Sequence, residues 1–557
     1  MTKSFSALAL LVALLVTGLL VNTAGALRAQ QTAAVALTGQ VHSAAEGPME
    51  GVLVTARKAG ATFAVTVVSD AHGKYAFPAS HLAPGAYTLD VRAAGFVLRG
   101  ATHATVAAGT PAHADLELRK TDDLADQLSN GEWLLSMPGT DAQKNMVLDC
   151  SSCHTLRRIV DSYHTADDFR SNVLPRMANY ANNSFWLKPQ PFRNPRGPAN
   201  IPEGLPEFLA SINLSSGPRT WPLKTYPRLK GPSTHVIITE YDLPNRIIEP
   251  HDVIGLPDGS LWYSDFTQNF LGQLDPKTGA VTQYPVPEFK PGYLAGSLEV
   301  EADPDGNLWL SNMFQGGVSR FDPKTKTFKQ FAVAPGPHPE FTQESMVMPS
   351  HMNVDGKIWT NNQDDKTFRR LDPATGTWET FGPFHYPGTT RIFSSYGVLT
   401  DAKNAVWLLD FGGQSIAHLD PASGAFTVIP TPTLLSHPRR GRVDDRTGLF
   451  WFAEFGGNAI GSIDTTAAGA PITEYKLPTP FDAPYDVVAD KLGNVWAGSE
   501  LTDRISRLNP ATGRIVEYEL PRETNIRRVW VDNNANPVSL WVGNNHSASI
   551  VHLEPLP

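Results

Sequence analysis

Cysteine is almost absent from this sequence, because Cys150 and Cys153 are the only two among 557 residues. A disulfide-stapled scaffold is therefore excluded. After an N-terminal stretch, no apolar run is long enough to form a transmembrane helix. Charged residues make up only 18% of the chain, and the net charge of -9 is spread without blocks, which argues against nucleic acid or an anionic membrane as the main partner. The 45 glycines and 45 prolines instead favour a turn-rich β protein.

The two cysteines form a single motif, Cys150-Ser151-Ser152-Cys153-His154. This C-x-x-C-H spacing is typical of c-type haem attachment, in which both thiols bond to the haem and the histidine ligates its iron. The alternatives are a structural disulfide, a redox dithiol or half of a zinc site. A dithiol does not require the histidine, and a complete zinc site would need further cysteines. The sequence therefore predicts one covalent haem c, held by Cys150 and Cys153, with His154 as the iron ligand.

The N-terminus has the pattern of a secretory signal. Lys3 precedes an apolar run over residues 7–21, and Ala24-Gly25-Ala26 follows it. A basic tip, a short apolar core and a small-x-small end are shared by signal peptides, and the run is short for a spanning helix. We expect a signal peptide within residues 1–29 and a periplasmic or otherwise exported chain, with an uncleaved anchor as the alternative. Export agrees with the motif, because covalent haem attachment takes place outside the cytoplasm.

Residues 36–120 alternate in short β-type runs that are separated by turn residues. Three pieces resemble the carboxypeptidase regulatory-like family, namely Thr38-Gly39-Gln40-Val41, Asp70-x-x-Gly73-x-Tyr75-x-Phe77 and Pro84-Gly85-x-Tyr87-x-Leu89. The resemblance implies a small sandwich of about seven or eight strands. Nothing in this segment indicates catalysis, so we interpret it as a spacer or a docking surface.

Between residues 121 and 216 the periodicity becomes helical. Apolar residues recur at helical spacing from Leu124 to Leu134, and Asp122-Asp123 is the predicted cap. A further helix is predicted from Thr165 to about residue 180. The segment 205–214 resembles the closing helix of a class I cytochrome c. Together with the C-x-x-C-H motif, this resemblance implies an all-α domain with one haem.

The sixth ligand of the haem iron has several candidates. A methionine thioether opposite His154 would raise the reduction potential, and Met177 is the first choice. Met177 follows His154 by 23 residues, a short gap for a class I cytochrome, and its alternative role is a core residue on a helix face. His164 is the second candidate and would give a bis-histidine centre. Met137, Met146 and an open sixth site are the remaining alternatives.

Residues 217–557 contain an internal repeat, which is stronger evidence about the fold than local sequence patterns are. A motif such as Asp258-Gly259-Ser260-Leu261-Trp262 occurs seven times with variation, and successive tryptophans are 44 to 50 residues apart. They are Trp262, Trp309, Trp359, Trp407, Trp451, Trp496 and Trp541. Four short strands in a period of about 45 residues are typical of a propeller blade. The sequence therefore predicts a seven-bladed β-propeller.

The register of the repeat predicts how the ring of blades closes. Residues 236–243 match the fourth strand of a repeat, whereas the C-terminal segment 549–553 matches a third. We expect these segments to pair within the last blade, which removes an open sheet edge. The predicted whole is a multidomain, mainly β protein with a sandwich, an all-α cytochrome c domain and a propeller.

The sequences of the repeats resemble those of the streptogramin (virginiamycin B) lyase family. The elimination reaction of that family uses a general base and a magnesium ion. The Glu-Pro-His signature of the family occurs once, as Glu249-Pro250-His251. The resemblance implies that Glu249 holds magnesium and that His251 takes the proton. The partner histidine and tyrosine positions of the family fall near Arg527-Arg528 and Ser297-Leu298, and Asp265 stands one place from its acidic residue. The signature is thus partly retained.

Equivalent positions of the blades should ring the central channel. The inner position holds His251, Ser350 with His351, Tyr396, Arg440, Tyr485 and Arg527, and three residues after the tryptophans stand Asp265, Asn312, Asn362, Asp410, Glu454, Ser499 and Asn544. These residues predict a polar funnel of mixed charge. The alternative is that they bond only to water and strand ends, as in propellers that bind nothing.

Three hypotheses of function follow from these parts. The first is an exported c-type cytochrome with an electron-transfer role, whose propeller binds a small-molecule substrate in its funnel or a redox partner protein. Such a chain would be one component of a periplasmic oxidoreductase. The second is a magnesium-dependent carbon–oxygen lyase that uses Glu249 and His251. The third is a non-enzymatic protein that binds a partner.

Overall fold

Short β-strands make up most of the regular secondary structure in the described chain. The computed structural model describes residues 34–177, 201–293, 295–333, 344–348, 355–363, 365–469 and 471–557. The predicted signal peptide over residues 1–29 and the funnel positions Ser350 and His351 lie outside these ranges. Within them, no helix is both long and apolar enough to cross a membrane.

An N-terminal β-sandwich occupies residues 35–120, which confirms the predicted mainly β segment. Alternating side chains of its two sheets, including Leu37, Val54 and Phe77, pack into one buried core. The sandwich has ten strands rather than the expected seven or eight, and two of them contain only two residues. The strands are Val35–Ser43, Gly47–Pro48, Leu53–Lys58, Phe63–Val68, Lys74–Pro78, Gly85–Arg92, Phe96–Leu98, Thr102–Val106, Ala112–His113 and Leu116–Lys120.

Helices fill the described residues between the sandwich and the propeller, which we call the helical part (residues 121–177 and 201–216). They are the 3-10 turns Ala125–Gln127, Leu148–Ser152 and Leu214–Ser216, the π turn Phe169–Val173, and the α-helices Asn130–Ser136, Asp141–Asn145, Arg157–Val160, Ala166–Asp168, Leu174–Met177 and Leu205–Ile212. A further 3-10 turn, Gly231–Thr234, precedes the propeller.

The capping residues explain where these helices begin. The predicted cap at Asp122-Asp123 is wrong, because the cap of the first α-helix is Ser129. Its side chain accepts from the Glu132 backbone N–H, while the Glu132 side chain accepts from the Ser129 backbone N–H. This reciprocal capping box satisfies two N–H groups that a helix start otherwise leaves unbonded. Thr165 caps the next predicted helix in the same way. That helix runs to Met177 in the described residues, and its predicted end near residue 180 lies outside them.

The propeller consists of seven four-stranded antiparallel sheets, or blades, each ordered from the inner to the outer strand. Blade 1 comprises Pro250–Gly255, Leu261–Asp265, Phe270–Asp275 and Ala280–Pro285, and blade 2 comprises Val300–Ala302, Leu308–Asn312, Gly317–Asp322 and Thr327–Ala332. Blade 3 comprises Glu344–Met348, Ile358–Asn362, Thr367–Asp372 and Thr377–Phe381, and blade 4 comprises Gly397–Thr400, Val406–Leu409, Ser415–Leu419 and Phe426–Pro430. Blade 5 comprises Pro438–Asp444, Leu449–Glu454, Ala459–Asp464 and Thr473–Lys476, and blade 6 comprises Pro484–Ala489, Val495–Ser499, Arg504–Asn509 and Arg514–Glu519.

The recurring tryptophans lie on the second strands, where each is buried between neighbouring blades. The indole N–H of Trp496 donates to Asp490 at 2.9 Å, and Trp309 donates to Asp303 at the same distance. These aspartates also accept from backbone N–H groups of the hairpin turn. In these blades, as with Asp401 and Trp407, the repeated turn-and-tryptophan motif builds the hairpin and satisfies the polar atom of the buried ring.

Blade 7 closes the ring by the predicted pairing. Its first three strands are Val529–Asp532, Ser539–Asn544 and Ser549–Pro555, and its outer strand is the N-terminal segment Val236–Asp242. The pairing is antiparallel, with Ile238 opposite Leu553. The prediction of ring closure from the register is confirmed.

The outer strand of blade 7 also pairs with the sandwich, which the sequence does not predict. Phe63–Val68 runs antiparallel to Val236–Asp242, so that one eight-stranded sheet spans the last blade and half of the sandwich. An ion pair between Arg92 and Asp503, at 2.6 Å, and a hydrogen bond between His81 and Glu554, at 2.9 Å, flank the junction. The sandwich is therefore attached to the ring by backbone hydrogen bonds.

Candidate functional site

The helical part rests on the propeller face at which the inner strands begin. Trp133 and Leu156 share one buried apolar cluster with Phe455, Ala483 and Leu501 of blades 5 and 6. Ala483 directly precedes an inner strand, and Phe455 and Leu501 closely follow second strands. The Glu-Pro-His signature begins the inner strand of blade 1 and therefore lies on the same face.

The C-x-x-C-H segment, residues 150–154, lies at the end of a 3-10 turn in this interface. Cys150, Cys153 and His154 are half-buried. The Nδ1–H of His154 donates to the Thr155 carbonyl at 2.9 Å, which fixes the tautomer and leaves Nε2 as the nitrogen for a metal. Burial lowers the pKa of His154, so the imidazole is held in the neutral form that ligates metals. The residues of this segment thus fit a haem iron and its two thioether bonds.

Three buried side chains of the propeller hold the middle of the segment. Arg527 donates from Nη2 to the Ser152 carbonyl at 2.9 Å, and Asn525 donates from Nδ2 to the Ser151 carbonyl at 3.2 Å. The Ser152 hydroxyl donates to Glu500 Oε1 at 3.2 Å. Both residues between the cysteines are therefore bonded to the propeller.

Glu500 connects these contacts to a second arginine. Its Oε2 accepts from Arg439 at 2.7 Å, and Arg439 is 3% exposed. The guanidinium of Arg439 lies 3.8 Å from the ring centre of Tyr485 and 4.3 Å from that of Phe411. Cation–π contacts and an ion pair thus stabilise a buried charge beneath the helical part.

His251 lies deeper in the channel and is fully buried. Its Nδ1 is 2.9 Å from Asp252 Oδ1, and its Nε2 is 3.3 Å from the Tyr485 hydroxyl, which also bonds to the hydroxyl of Tyr396. Burial lowers the pKa of His251 to about 4, so the ring is neutral at pH 7. Both ring nitrogens therefore have partners within the protein.

Glu249 is buried near Asp265 and Arg527. Burial raises the pKa of Glu249 well above its ordinary value and that of Asp265 to about 7. Asp265 already accepts from the Glu249 N–H at 3.2 Å, from the Thr267 N–H at 3.1 Å and from Gln268 at 2.8 Å. In the described ranges, no three His, Cys, Asp or Glu side chains are grouped as for a metal. Magnesium needs several oxygen ligands, so the residues around Glu249 do not fit the ion that the lyase resemblance implies.

Ion pairs fill the channel below His251. Arg440 donates to Asp252 at 2.7 Å and to Glu299 at 2.8 Å, and Arg528 pairs with Asp252 at 3.0 Å and with Glu301 at 2.7 Å. Of the predicted inner positions, Arg440 belongs to this network, whereas His251, Tyr396 and Tyr485 bond to one another above it. At the opposite face the channel opens into a cavity of about 420 Å³, lined in part by Glu301, Arg528 and Trp530. The predicted mixed-charge funnel is thus occupied by protein side chains over its inner length.

The candidate sixth ligands lie at different places in the helical part. Met177 ends its helix with 40% of its surface exposed, next to residues outside the described ranges. His164 is exposed, with its ring 5.6 Å from that of Phe169. Met137 is buried in the apolar cluster, and Met146 packs against it. The choice of Met177 stays a prediction.

Sequence reasoning missed Glu500, Asn525 and His546. Burial lowers the pKa of His546 to about 3, and its ring lies near the Ser151 backbone. Glu500 and His546 stand one and two residues after the ring positions Ser499 and Asn544. A wider window after each tryptophan would have included them, but no sequence signal indicates that they contact residues 150–154.

Fold and site together define a multidomain, mainly β protein whose propeller carries a helical part on one face and a β-sandwich on its edge. Residues 291–555 match the virginiamycin B lyase family, and residues 36–119 match the carboxypeptidase regulatory-like domain. Both resemblances predicted from the sequence are thereby confirmed over these ranges. The first match begins after Glu249-Pro250-His251. Among curated proteins, none matches this chain.

Solved structures similar to this chain cover the propeller. A streptogramin B lyase is 22% identical, covers 58% of this chain and 100% of its own, and has a TM-score of 0.50. A virginiamycin B lyase from Staphylococcus aureus is 21% identical with the same coverage and a TM-score of 0.49. Hydrazine synthase from Kuenenia stuttgartiensis is 16% identical over 56% of this chain and 96% of its own, with a TM-score of 0.44. At these identities the likeness concerns the fold.

Proposed function

We propose that this chain is an exported c-type cytochrome that transfers electrons, with its haem site seated on the propeller. One haem is bonded to Cys150 and Cys153 and ligated by His154. The observation that carries the proposal is the arrangement of this segment, in which Nδ1 of His154 donates to the Thr155 carbonyl and leaves Nε2 for iron. The haem supplies a one-electron store.

The surrounding residues orient the site and exclude water. The apolar cluster around Trp133 and Leu156 covers one side of the segment, and burial of this kind tunes the reduction potential of a bound metal. The neutral His154 is ready to bind without losing a proton. Met177 remains the proposed sixth ligand, and His164 the alternative.

A redox partner protein is the partner that this arrangement favours. Binding of a small-molecule substrate in the funnel is less well supported on this face. The helical part covers the face, and ion pairs fill the channel below. Cys153 and His154 are only half-buried, so a partner protein can approach the edge of the haem. The exported location is part of the same proposal, since haem attachment requires it.

The lyase hypothesis has weaker support. His251 is neutral and lies in the right motif, but Asp252 and the Tyr485 hydroxyl occupy both of its nitrogens. A general base must reach the proton that it removes. The residues around Glu249 also do not fit magnesium, as their contacts above indicate.

Covalent haem attachment is tested by an absorption spectrum of the full chain expressed with export and haem attachment. We expect a reducible, low-spin c-type spectrum that survives denaturation in the wild type. Cys150→Ala removes one thioether bond and should shift the denatured spectrum, and Cys150→Ala with Cys153→Ala should lose haem altogether. Ser216→Ala, an exposed serine of the helical part, is the matched control and should keep the wild-type spectrum. A wild-type chain without covalent haem would contradict the proposal.

A further inference from the structure

Backbone carbonyls of the C-x-x-C-H segment accept hydrogen bonds from side chains of the propeller. The 3-10 turn Leu148–Ser152 ends inside the motif, and the last carbonyls of a helix have no partner within it. The Ser151 and Ser152 carbonyls are bonded instead by Asn525 and Arg527 of the propeller. The backbone between the two cysteines is therefore completed by a different part of the fold.

Arg527 is fixed in place by its other contacts. It is fully buried, its Nε donates to Asn525, its Nη2 lies 3.3 Å from Glu500, and its guanidinium is 5.0 Å from the ring centre of Tyr485. A planar guanidinium held on several sides loses its geometry when it is replaced by lysine. Arg527 thus presents both a rigid donor and a buried charge to the segment.

The charges at this contact do not cancel. Arg527 and Arg439 share the one carboxylate of Glu500, which lies 3.3 and 2.7 Å from them. Positive charge near a haem opposes the extra positive charge of the ferric state, and burial weakens the screening of that effect.

We propose that Arg527 and Glu500 are positioning residues of the haem site, which the helical part and the propeller therefore share. They hold the turn that presents Cys150, Cys153 and His154, and the charge of Arg527 raises the reduction potential of the haem. This inference rests on the proposed haem attachment. The resemblance places a histidine of the lyase family near this position. This chain has an arginine there instead, which agrees with a role other than that of the family's histidine.

Redox titration of the full haem-loaded chain tests the electrostatic part. Arg527→Met should raise the ratio of ferric to ferrous haem at a fixed ambient potential by about tenfold, which equals about 59 mV for one electron. Arg527→Lys keeps the charge and should recover most of this change. Arg507→Met removes a half-buried arginine from the third strand of blade 6 and should change the ratio by less than about threefold, because solvent screens a partly exposed charge.

Thiol alkylation tests the positioning part without haem. In full chain produced without export or haem attachment, iodoacetamide should label Cys150 and Cys153 several times faster in Arg527→Met than in the wild type or Arg507→Met. Asn525→Ala and Ser152→Ala, which remove single hydrogen bonds, should give smaller increases and replace Arg527→Met if that variant does not fold.

The outcomes separate this inference from the proposed function. Unchanged potential and unchanged alkylation in the Arg527 and Asn525 variants would overturn the inference while a haem-bearing wild type keeps the function. A wild-type chain without covalent haem would overturn the function and the electrostatic part, and the alkylation rates would still decide whether Arg527 and Glu500 position the turn.

Discussion

At the residue scale, the central channel is a set of buried ion pairs rather than an open pocket. Arg440, Asp252 and Glu299 are all at most 1% exposed, and Arg440 donates to both carboxylates. Removing one partner of a buried pair typically costs about 3–5 kcal/mol, because the other charge is left uncompensated. Substitutions in the channel should therefore affect folding before they affect any ligand.

Asp482 gives a pH-dependent prediction at this scale. Burial, followed by the charge of Glu517, raises the pKa of Asp482 from 3.8 to about 8. The folded chain then holds a proton that the unfolded chain releases, so stability falls as pH rises from about 4 to about 8. Asp482→Asn cannot ionise, so its free energy of unfolding should match the wild type at pH 4.5 and exceed it by a few kcal/mol at pH 9, with a correspondingly higher melting temperature.

Thermal unfolding followed by circular dichroism at the two pH values measures this difference. Asp305→Asn, at an exposed turn of blade 2, is the control and should behave as the wild type at both. A difference between Asp482→Asn and the wild type that is the same at both pH values would contradict the prediction.

The sequence could predict part of the site at this scale. The repeat register brings His251, Arg440, Tyr485 and Arg527 to the channel, because equivalent positions of a propeller face its axis. It could not predict that Glu500 bonds to Ser152, since 348 residues separate them and no periodic pattern relates a helical segment to a propeller face. The C-x-x-C-H motif could be recognised from the sequence alone, because all of its residues lie within one short segment of the chain.

At the element scale, Val236–Asp242 is the strand on which the assembly depends. Its partner Ser549–Pro555 follows from the unfinished repeat, which lacks a fourth strand. Its second partner, Phe63–Val68, could not be predicted, because an alternating apolar strand shows that it is covered without showing by what. Nearly all of its residues are buried, as expected for a central strand.

Proline at Thr66 tests the junction between sandwich and propeller. Thr66 lies opposite Ile238 and is buried, and proline cannot donate to a central ladder. Thr66→Pro should destabilise the chain by about 2–3 kcal/mol through unpaired buried backbone groups. Thr105→Pro, on the edge strand Thr102–Val106, is the matched control and should cost less. Urea unfolding measures both, and equal losses would contradict the larger cost expected for a strand that pairs with both the sandwich and the propeller.

At the scale of the whole molecule, the sandwich, the helical part and the propeller pack against one another rather than being separated by linkers. The segment between helices and propeller bridges all of them, since Arg228 donates to the Glu50 carbonyl at 3.1 Å and Tyr226 donates to the Pro480 carbonyl at 2.6 Å. The sandwich extends the sheet of blade 7, and the helical part covers the face of the ring. The propeller thus acts as the frame on which the C-x-x-C-H segment is held.

The central claim is that residues 150–154 carry one covalent haem. The most direct measurement is the mass of the intact, exported full chain after denaturation, followed by the mass of its proteolytic peptides. The account predicts the polypeptide mass plus one haem, with the added mass on the peptide that contains Cys150 and Cys153. The mass of the unmodified polypeptide, from a host that attaches haem to other c-type cytochromes, would contradict it.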